Sequence, residues 1–243
     1  MKTNYFSLFL IFLFFSCNRE KEADRFTIQG QFSNSRREKI VLCEMDLKEV
    51  IPLDSSNIGN DGTINFSHKT DQPGFYLLTF PGGRRIVLLM KRGENLLLKG
   101  DMKEPSSDFT ISGSEGSELL EGFFHATLKN KIRIDSIKRT LRSKEGSEDF
   151  LRFSMTADSL FFRISGDQKK LEKDFIDRNP QSLASLIVLN YSFGSKPVLT
   201  MEEDLSYYQK LTGLYTIYPK NKHVLFHLAR LRLFMNNLKN SIN

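Results

Sequence analysis

From Arg25 to Gly113 the chain runs in short apolar or alternating stretches broken by turn residues, among them FTIQGQF, KIVLCEM, TINFSH, GFYLLTF, RIVLLM, NLLLKG and DFTISG. In the first of these, Phe26, Ile28 and Gly30 alternate with Thr27, Gln29 and Gln31, the period-two pattern of a half-buried strand. Asn60-Asp61-Gly62 predicts a tight hairpin before TINF, because Asp-Gly readily takes positive φ. Pro81-Gly82-Gly83 and Arg92-Gly93 predict two more. Strands this close together, with no helical pattern between them, predict an antiparallel sandwich or small barrel.

The period changes at Glu115. Leu119, Leu120, Phe123, Phe124, Leu128, Ile132, Ile134, Ile137 and Leu141 recur at three- and four-residue spacings, one face of a long helix. Gly146-Ser147 marks a break, and Phe150 to Phe175 reads as a second helix with an interruption near Ser165-Gly166. Pro180 closes a segment, and SLASLIVLNYSF restarts a helix at Ser182. Thr200 with Glu203 three residues on has the form of a capping box, and HVLFHLARLRLFMNNL forms a last amphipathic helix. The chain therefore reads as α+β: an antiparallel β-sandwich or small barrel, residues 25–113, followed by an α-helical domain, residues 114–243.

The most apolar stretch lies before both. Tyr5 to Ser16 is mostly Phe, Leu and Ile, too short for the roughly 20 apolar residues of a membrane-spanning helix. Asn18 and the charged run Arg19 to Glu22 prevent its extension. A leading Lys2, an apolar core of this length and a small residue, Ser16, have the layout of an export signal. Phe14-Phe15-Ser16-Cys17 resembles a relaxed bacterial lipobox of the kind that lipoproteins of Bacteroidetes tolerate. The resemblance implies a signal peptide over residues 1–16, cleavage between Ser16 and Cys17, and acylation of the Cys17 thiol. Residues 17–24 then form a tether of at most roughly 30 Å to the first strand. Two or more acyl chains are needed because one holds a membrane only reversibly.

Several phrases farther along resemble the β-rich domain of unknown function that opens many thioredoxin-like lipoproteins of the TlpA/ResA type in Bacteroidetes. They are Phe26-Thr27-Ile28-Gln29-Gly30, the stretch from Asp54-Ser55 through Asp61-Gly62-Thr63-Ile64-Asn65-Phe66, Gly74 to Leu78, and Ile111 to Ser114. The helical linker of those proteins carries a phrase like Phe175-Ile176-Asp177-Arg178-Asn179-Pro180-Gln181-Ser182-Leu183-Ala184-Ser185. Together these motifs cover roughly residues 25 to 235. In the relatives a thioredoxin fold with a W-C-x-x-C active site comes next. The present 243 residues contain no Trp and no C-x-x-C, so no catalytic residue carries over.

Charge and chemistry narrow the function further. The formal net charge of +6 is spread in pairs such as Arg36-Arg37 and Lys169-Lys170, without a block of five, so no nucleic-acid arm is indicated. Cys43 is the second of two cysteines; with Cys17 acylated it has no disulfide partner and reads as a small core residue in KIVLC. His223 and His227 lie one helical turn apart, but Val224 stands where a zinc peptidase needs Glu, and two ligands fall short of the three or four of a zinc site. They read as surface or interface histidines, and His68 and His125 lack a recognisable partner. Asp54-Ser55-Ser56 lacks a nucleophile elbow and reads as a strand-end turn. The Gly-rich PGGRR lacks phosphate-loop spacing, and SLFFRI reads as helix core.

No catalytic, cofactor or metal residues are assigned; Ser16 and Cys17 are the site residues, for cleavage and lipidation. The expected protein is a non-enzymatic lipoprotein of the cell envelope, anchored to the inner or outer membrane through its N-terminal lipid and facing the periplasm or cell surface. Its expected partner is a protein of the envelope. The alternatives are docking of a separate thioredoxin-like oxidoreductase, and a small ligand held in a cleft between the two halves.

Overall fold

The alternation at the start of the β-rich segment is realised in β1 (Arg25–Ser33), where Phe26, Ile28 and Phe32 are buried while Gln29 and Gln31 are exposed. The computed structural model describes residues 24–103 and 109–242. Among the described residues seven further strands belong to the N-terminal part: β2 (Lys39–Met45), β3 (Val50–Asn57), β4 (Thr63–Lys69), β5 (Gly74–Thr79), β6 (Arg85–Met90), β7 (Asn95–Asp101) and β8 (Thr110–Ser112). They form two four-stranded sheets, ordered β4-β1-β7-β8 and β3-β2-β5-β6. Every pairing in these sheets is antiparallel except β1 with β7, which run parallel with Ile28 opposite Leu96. Phe26, Ile28, Leu42, Phe66, Leu78, Leu88 and Leu98 share one apolar core drawn from both sheets.

Two of the turns do something other than the sequence predicts. Asp61 has the expected turn chemistry: its Oδ1 accepts from the Thr63 amide at 3.1 Å and hydroxyl at 2.7 Å, and Gly62 takes φ 81°. Yet β3 pairs with β2 and β4 with β1, so Asn60-Asp61-Gly62 carries the chain between sheets and closes no hairpin. Arg92-Gly93 likewise leads from β6 to β7 across the sandwich, with the Gly93 amide donating to the Arg25 carbonyl at 2.8 Å. A turn sequence specifies local reversal and leaves the pairing partner to the core. Pro81-Gly82-Gly83 does close a hairpin, setting Thr79 opposite Arg85. Pro52 sits on the edge strand β3, where a missing ladder donor is tolerated, beside a register shift at Leu42/Cys43.

The helical part comprises α1 (Glu115–Lys144), α2 (Phe150–Arg178), α3 (Ala184–Leu189), α4 (Met201–Lys210), α5 (Leu214–Ile217) and α6 (Lys222–Ile242), with a two-residue hairpin β9 (Ser192–Phe193) and β10 (Lys196–Pro197) after α3. It confirms the α+β class. Strand β5 is buried from Phe75 to Leu78 because both of its faces are covered. Tyr76 and Leu78 enter the sandwich core, whereas Phe75, with Leu89 of β6, joins a core of Leu120, Phe123, Ile176, Leu189 and Val224 from the helices. The molecule is thus three layers deep: sheet, sheet, helices.

Some helix details depart from the sequence pattern. α2 runs unbroken through Ser165-Gly166, since the cost of one helical Gly, about 1 kcal/mol, is outweighed by the burial of Ile164 and Gln168 on either side. α3 stops at Leu189, and Ser192-Phe193 pair with Lys196-Pro197 as strand residues. Ile132 is 55% exposed because it faces away from its buried neighbours Asn130 and Ile134. In SLFFRI, Ile164 is core, but Phe162 is 81% exposed.

The start of α1 closes the open side of the sandwich. Ser114 stands at its N-cap position, yet the hydroxyl turns to the β6 edge, 2.9 Å from the Leu89 carbonyl. The Ser117 hydroxyl accepts from the Leu89 amide at 3.1 Å. On the other sheet, Glu118 Oε1 accepts from the Gly113 amide at 2.8 Å and Glu121 Oε1 from the Ile111 amide at 3.2 Å. Four side chains on two helical turns thereby satisfy edge groups of both sheets, which would otherwise be unpaired. α6 is clamped to the middle sheet: Lys222 Nζ lies 2.5 Å from both Glu44 and Asp46, and Asn221 donates to the Pro73 carbonyl at 2.7 Å.

Candidate functional site

Where the helical layer meets the end of the sandwich, a half-open cleft of about 390 Å³ remains. One wall is the end of β6 and the turn that follows it, with Leu89, Lys91 and Glu94; a second is the first turns of α1, with Glu115, Gly116 and Leu119. The third is the turn from Arg178 to Leu183 between α2 and α3, and Tyr218 stands at the rim. The volume falls within the range of small-molecule sites. Its floor is apolar, through Leu89, Met90, Leu119 and Leu183, while its rim carries Lys91, Arg178, Glu115 and Gln181.

Each wall has a local cause. Gly116 lets α1 approach β6: a Cβ there would lie 2.6 Å from Leu89 Cδ2 and 2.7 Å from its Cγ. Glu94 fixes the strand end by accepting from the Lys91 amide at 2.9 Å and lying 3.0 Å from the Ser114 hydroxyl. The Asn-Pro-Gln-Ser turn is pinned from within. Asn179 Nδ2 donates to the Phe175 carbonyl at 2.9 Å, and its own carbonyl accepts from the Ser182 amide at 3.1 Å and the Ser185 hydroxyl at 2.7 Å. Ser182 Oγ accepts from the Ala184 amide at 3.2 Å, starting α3. Asn179, Ser182 and Ser185 therefore form a structural turn whose outer surface is a wall of the cleft. Arg178 Nε donates to the Asp174 carbonyl at 3.0 Å, and the residue lines the cleft.

A second polar cluster lies inside the helical layer. Asn130 Nδ2 donates to Gln168 Oε1 at 3.1 Å, and Gln168 Nε2 donates to Glu172 Oε1 at 3.1 Å. Glu172 is fully buried, and its Oε2 has no hydrogen-bond partner among the described residues. Burial pushes its carboxyl up to about 8, against the lowering effect of Gln168, so the group is largely protonated at neutral pH. Nearby, buried Asp204 meets Lys169 at 2.9 Å and Lys173 at 2.8 Å. Burial works to raise this carboxyl, but the bonds from Lys173 and Lys169 prevail and hold it below the usual range. Two carboxyls in one layer are thus kept in opposite states. The sequence signal for Gln168 and Glu172 is their i, i+4 spacing on the Ile164 face of α2, polar residues at core positions.

The sequence-derived candidates scatter. Ser16 and Cys17 lie outside the described residues. Cys43 is a buried free thiol opposite Leu77. His227 is buried and its Nε2 donates to the Tyr208 carbonyl at 2.8 Å, while His223 packs edge-on to Phe75 with ring centroids 4.8 Å apart. Burial lowers the pKa of both. Both histidines anchor α6, one against α4 and one against β5. Half-buried His68 packs between Phe26 and Tyr76, and His125 is exposed. Asp54-Ser55-Ser56 is not the strand-end turn that the sequence suggests: it lies inside β3, with Asp54 opposite Leu42 and Ser56 opposite Ile40, because β3 continues to Asn57, and Asp54 Oδ1 accepts from the Ser55 amide at 2.7 Å. Among the described residues, no three His, Cys, Asp or Glu side chains are grouped closely enough to hold a metal ion.

The fold and cleft define an α+β module in which a β-sandwich is covered by helices and a cleft opens at their junction. Residues 26–120 match a family model described as a domain of unknown function (DUF4369). The matched stretch takes in nearly all of the sandwich and the first turns of α1, which supply its edge caps and one wall of the cleft. No curated protein matches the chain.

Proposed function

We propose that the protein is an exported, lipid-anchored binding module without catalytic activity, and that the cleft at the sheet–helix junction is its ligand site. The observation that carries the binding half is the cleft itself: an apolar floor, a rim of unlike charges, and walls held rigid by Asn179, Ser185, Glu94 and Ser117. That combination suits a small polar ligand or the end of an extended peptide. The anchoring half rests on the apolar run before Cys17, and places the module in the cell envelope on a membrane surface.

Screening a fragment and short-peptide library by amide chemical-shift mapping tests the cleft. Binders are expected to perturb Lys91, Gly116, Gln181 and Tyr218 together, and Leu119→Arg is expected to abolish the shifts. Binders that perturb only residues elsewhere contradict the site. The second reading, docking of a separate thioredoxin-like enzyme, is motivated by the sequence resemblance alone.

A further inference from the structure

After Asp204 the chain contains no acidic residue, but it contains Lys210, Lys220, Lys222, Arg230, Arg232 and Lys239. Three of these lie on α6 and make no ion pair among the described residues: Arg230, Arg232 and Lys239 are all exposed. α6 is apolar on two sides. Val224, His227 and Leu231 are buried on the inner face, with Leu228, Phe234 and Met235 partly buried beside them. On the outer face Leu225 is 44%, Phe226 45% and Leu233 63% exposed. At 100° per residue these three and Ala229 fall on one outward stripe, with Arg230 along one flank and Arg232 and Lys239 along the other.

We propose that this outward face of α6 is a membrane-contact surface that lies on an anionic bilayer. An aliphatic and aromatic stripe bordered by cations is the arrangement that sinks into the headgroup boundary while its arginines meet lipid phosphates. Arg230 already lies over the Phe226 ring, 5.8 Å from its centroid, so the cation and the apolar anchor present themselves together. The helix lies on the surface and does not span it: among the described residues no helix is long and apolar enough to cross a membrane. A second copy of the chain fits this face poorly, because pairing two stripes would bring their cations together with no carboxylate after Asp204 to neutralise them. The inference stands on exposure and charge alone and does not require the acylation of Cys17.

The chain has no Trp, so Phe226→Trp creates a single reporter on this face. The full chain carrying it is mixed with phosphatidylglycerol vesicles and, separately, with phosphatidylcholine vesicles. With phosphatidylglycerol, the emission is expected to shift to the blue and acrylamide quenching to fall by about threefold or more. Arg230→Glu with Arg232→Glu is expected to remove both effects while leaving the far-ultraviolet circular dichroism unchanged. Emission unmoved by phosphatidylglycerol overturns the proposal and leaves an acidic protein as the partner of this face. An equal shift with phosphatidylcholine also overturns it, as does a blue shift without vesicles that accompanies self-association in sedimentation. Because the reporter sits on α6, its response is read separately from any lipid on Cys17.

Discussion

A carboxyl that has lost its water and half its hydrogen bonds is costly to ionise, and Glu172 is such a group. Its pKa rises from about 4.5 in the unfolded chain to about 8 in the folded one. Between those values folding takes up a proton, so this contribution to stability is complete below about pH 4.5 and is lost as pH rises to about 8. Glu172→Gln, which keeps the shape and cannot ionise, is expected to be more stable than the wild type by about 3 kcal/mol at pH 7. The gap should close near pH 4.5; urea unfolding at stepped pH measures it, and a gap independent of pH contradicts the assignment. His223 and His227 act with the opposite sign. Their pKa values are lowered by burial, so their contribution is present above about pH 6.5 and is lost as pH falls. Comparing the wild type with Glu172→Gln at each pH cancels that background. Two glycines of α1 make a second pair. Gly116→Ala drives a methyl into Leu89 and is expected to cost about 1–3 kcal/mol, although Ala is the better helix former. Gly122 has nothing within 4 Å of the position of an added Cβ, so Gly122→Ala should gain about 0.5–1 kcal/mol in the same thermal melts.

Among the elements, α1 has the widest structural reach, since its first two turns satisfy edge groups on both sheets and line the cleft. Its presence was legible from the spacing of Leu120 and Phe123, but the seal was not, because Ser117 and Glu121 read as an ordinary polar face until the edges of β6 and β8 are placed beside them. The same limit explains the turns. Asp61-Gly62 announces a reversal, and only burial of Ile64 and Phe66 against β1 decides that the next strand joins the other sheet. The cap of α4 shows a subtler case. Thr200 Oγ1 accepts from the Glu203 amide at 3.3 Å as the capping pattern implies, but Asp204, and not Glu203, returns the bond to the Thr200 amide, at 3.1 Å. Glu203 is drawn instead to Lys169 at 2.7 Å. Asp204→Asn is expected to destabilise by about 2 kcal/mol in chemical unfolding, below the 3–5 kcal/mol of fully buried pairs because Lys169 and Lys173 keep some contact with water. A loss near zero would show that the pairs with Lys169 and Lys173 are dispensable.

For the whole molecule, the middle sheet shares its residues between two cores, Tyr76 and Leu78 with the sandwich, Phe75 and Leu89 with the helices. Strand and helix content was legible in the change of hydrophobic period at Glu115, and the α+β class followed from it. The cleft was legible only as the idea of a gap between two halves, because Lys91, Gly116 and Gln181 converge from segments far apart in the chain. The proposed α6 surface lay in plain view as a run of cations without acids, yet its meaning depends on which of its leucines the fold leaves outside. The central proposal, that this module is held at a membrane through its N-terminal lipid, rests on Cys17. Metabolic labelling of the full chain with a palmitate analogue, beside Cys17→Ala, tests it most directly. The account predicts label in the wild type and none in Cys17→Ala; equal labelling of the two, or no label in either, contradicts it.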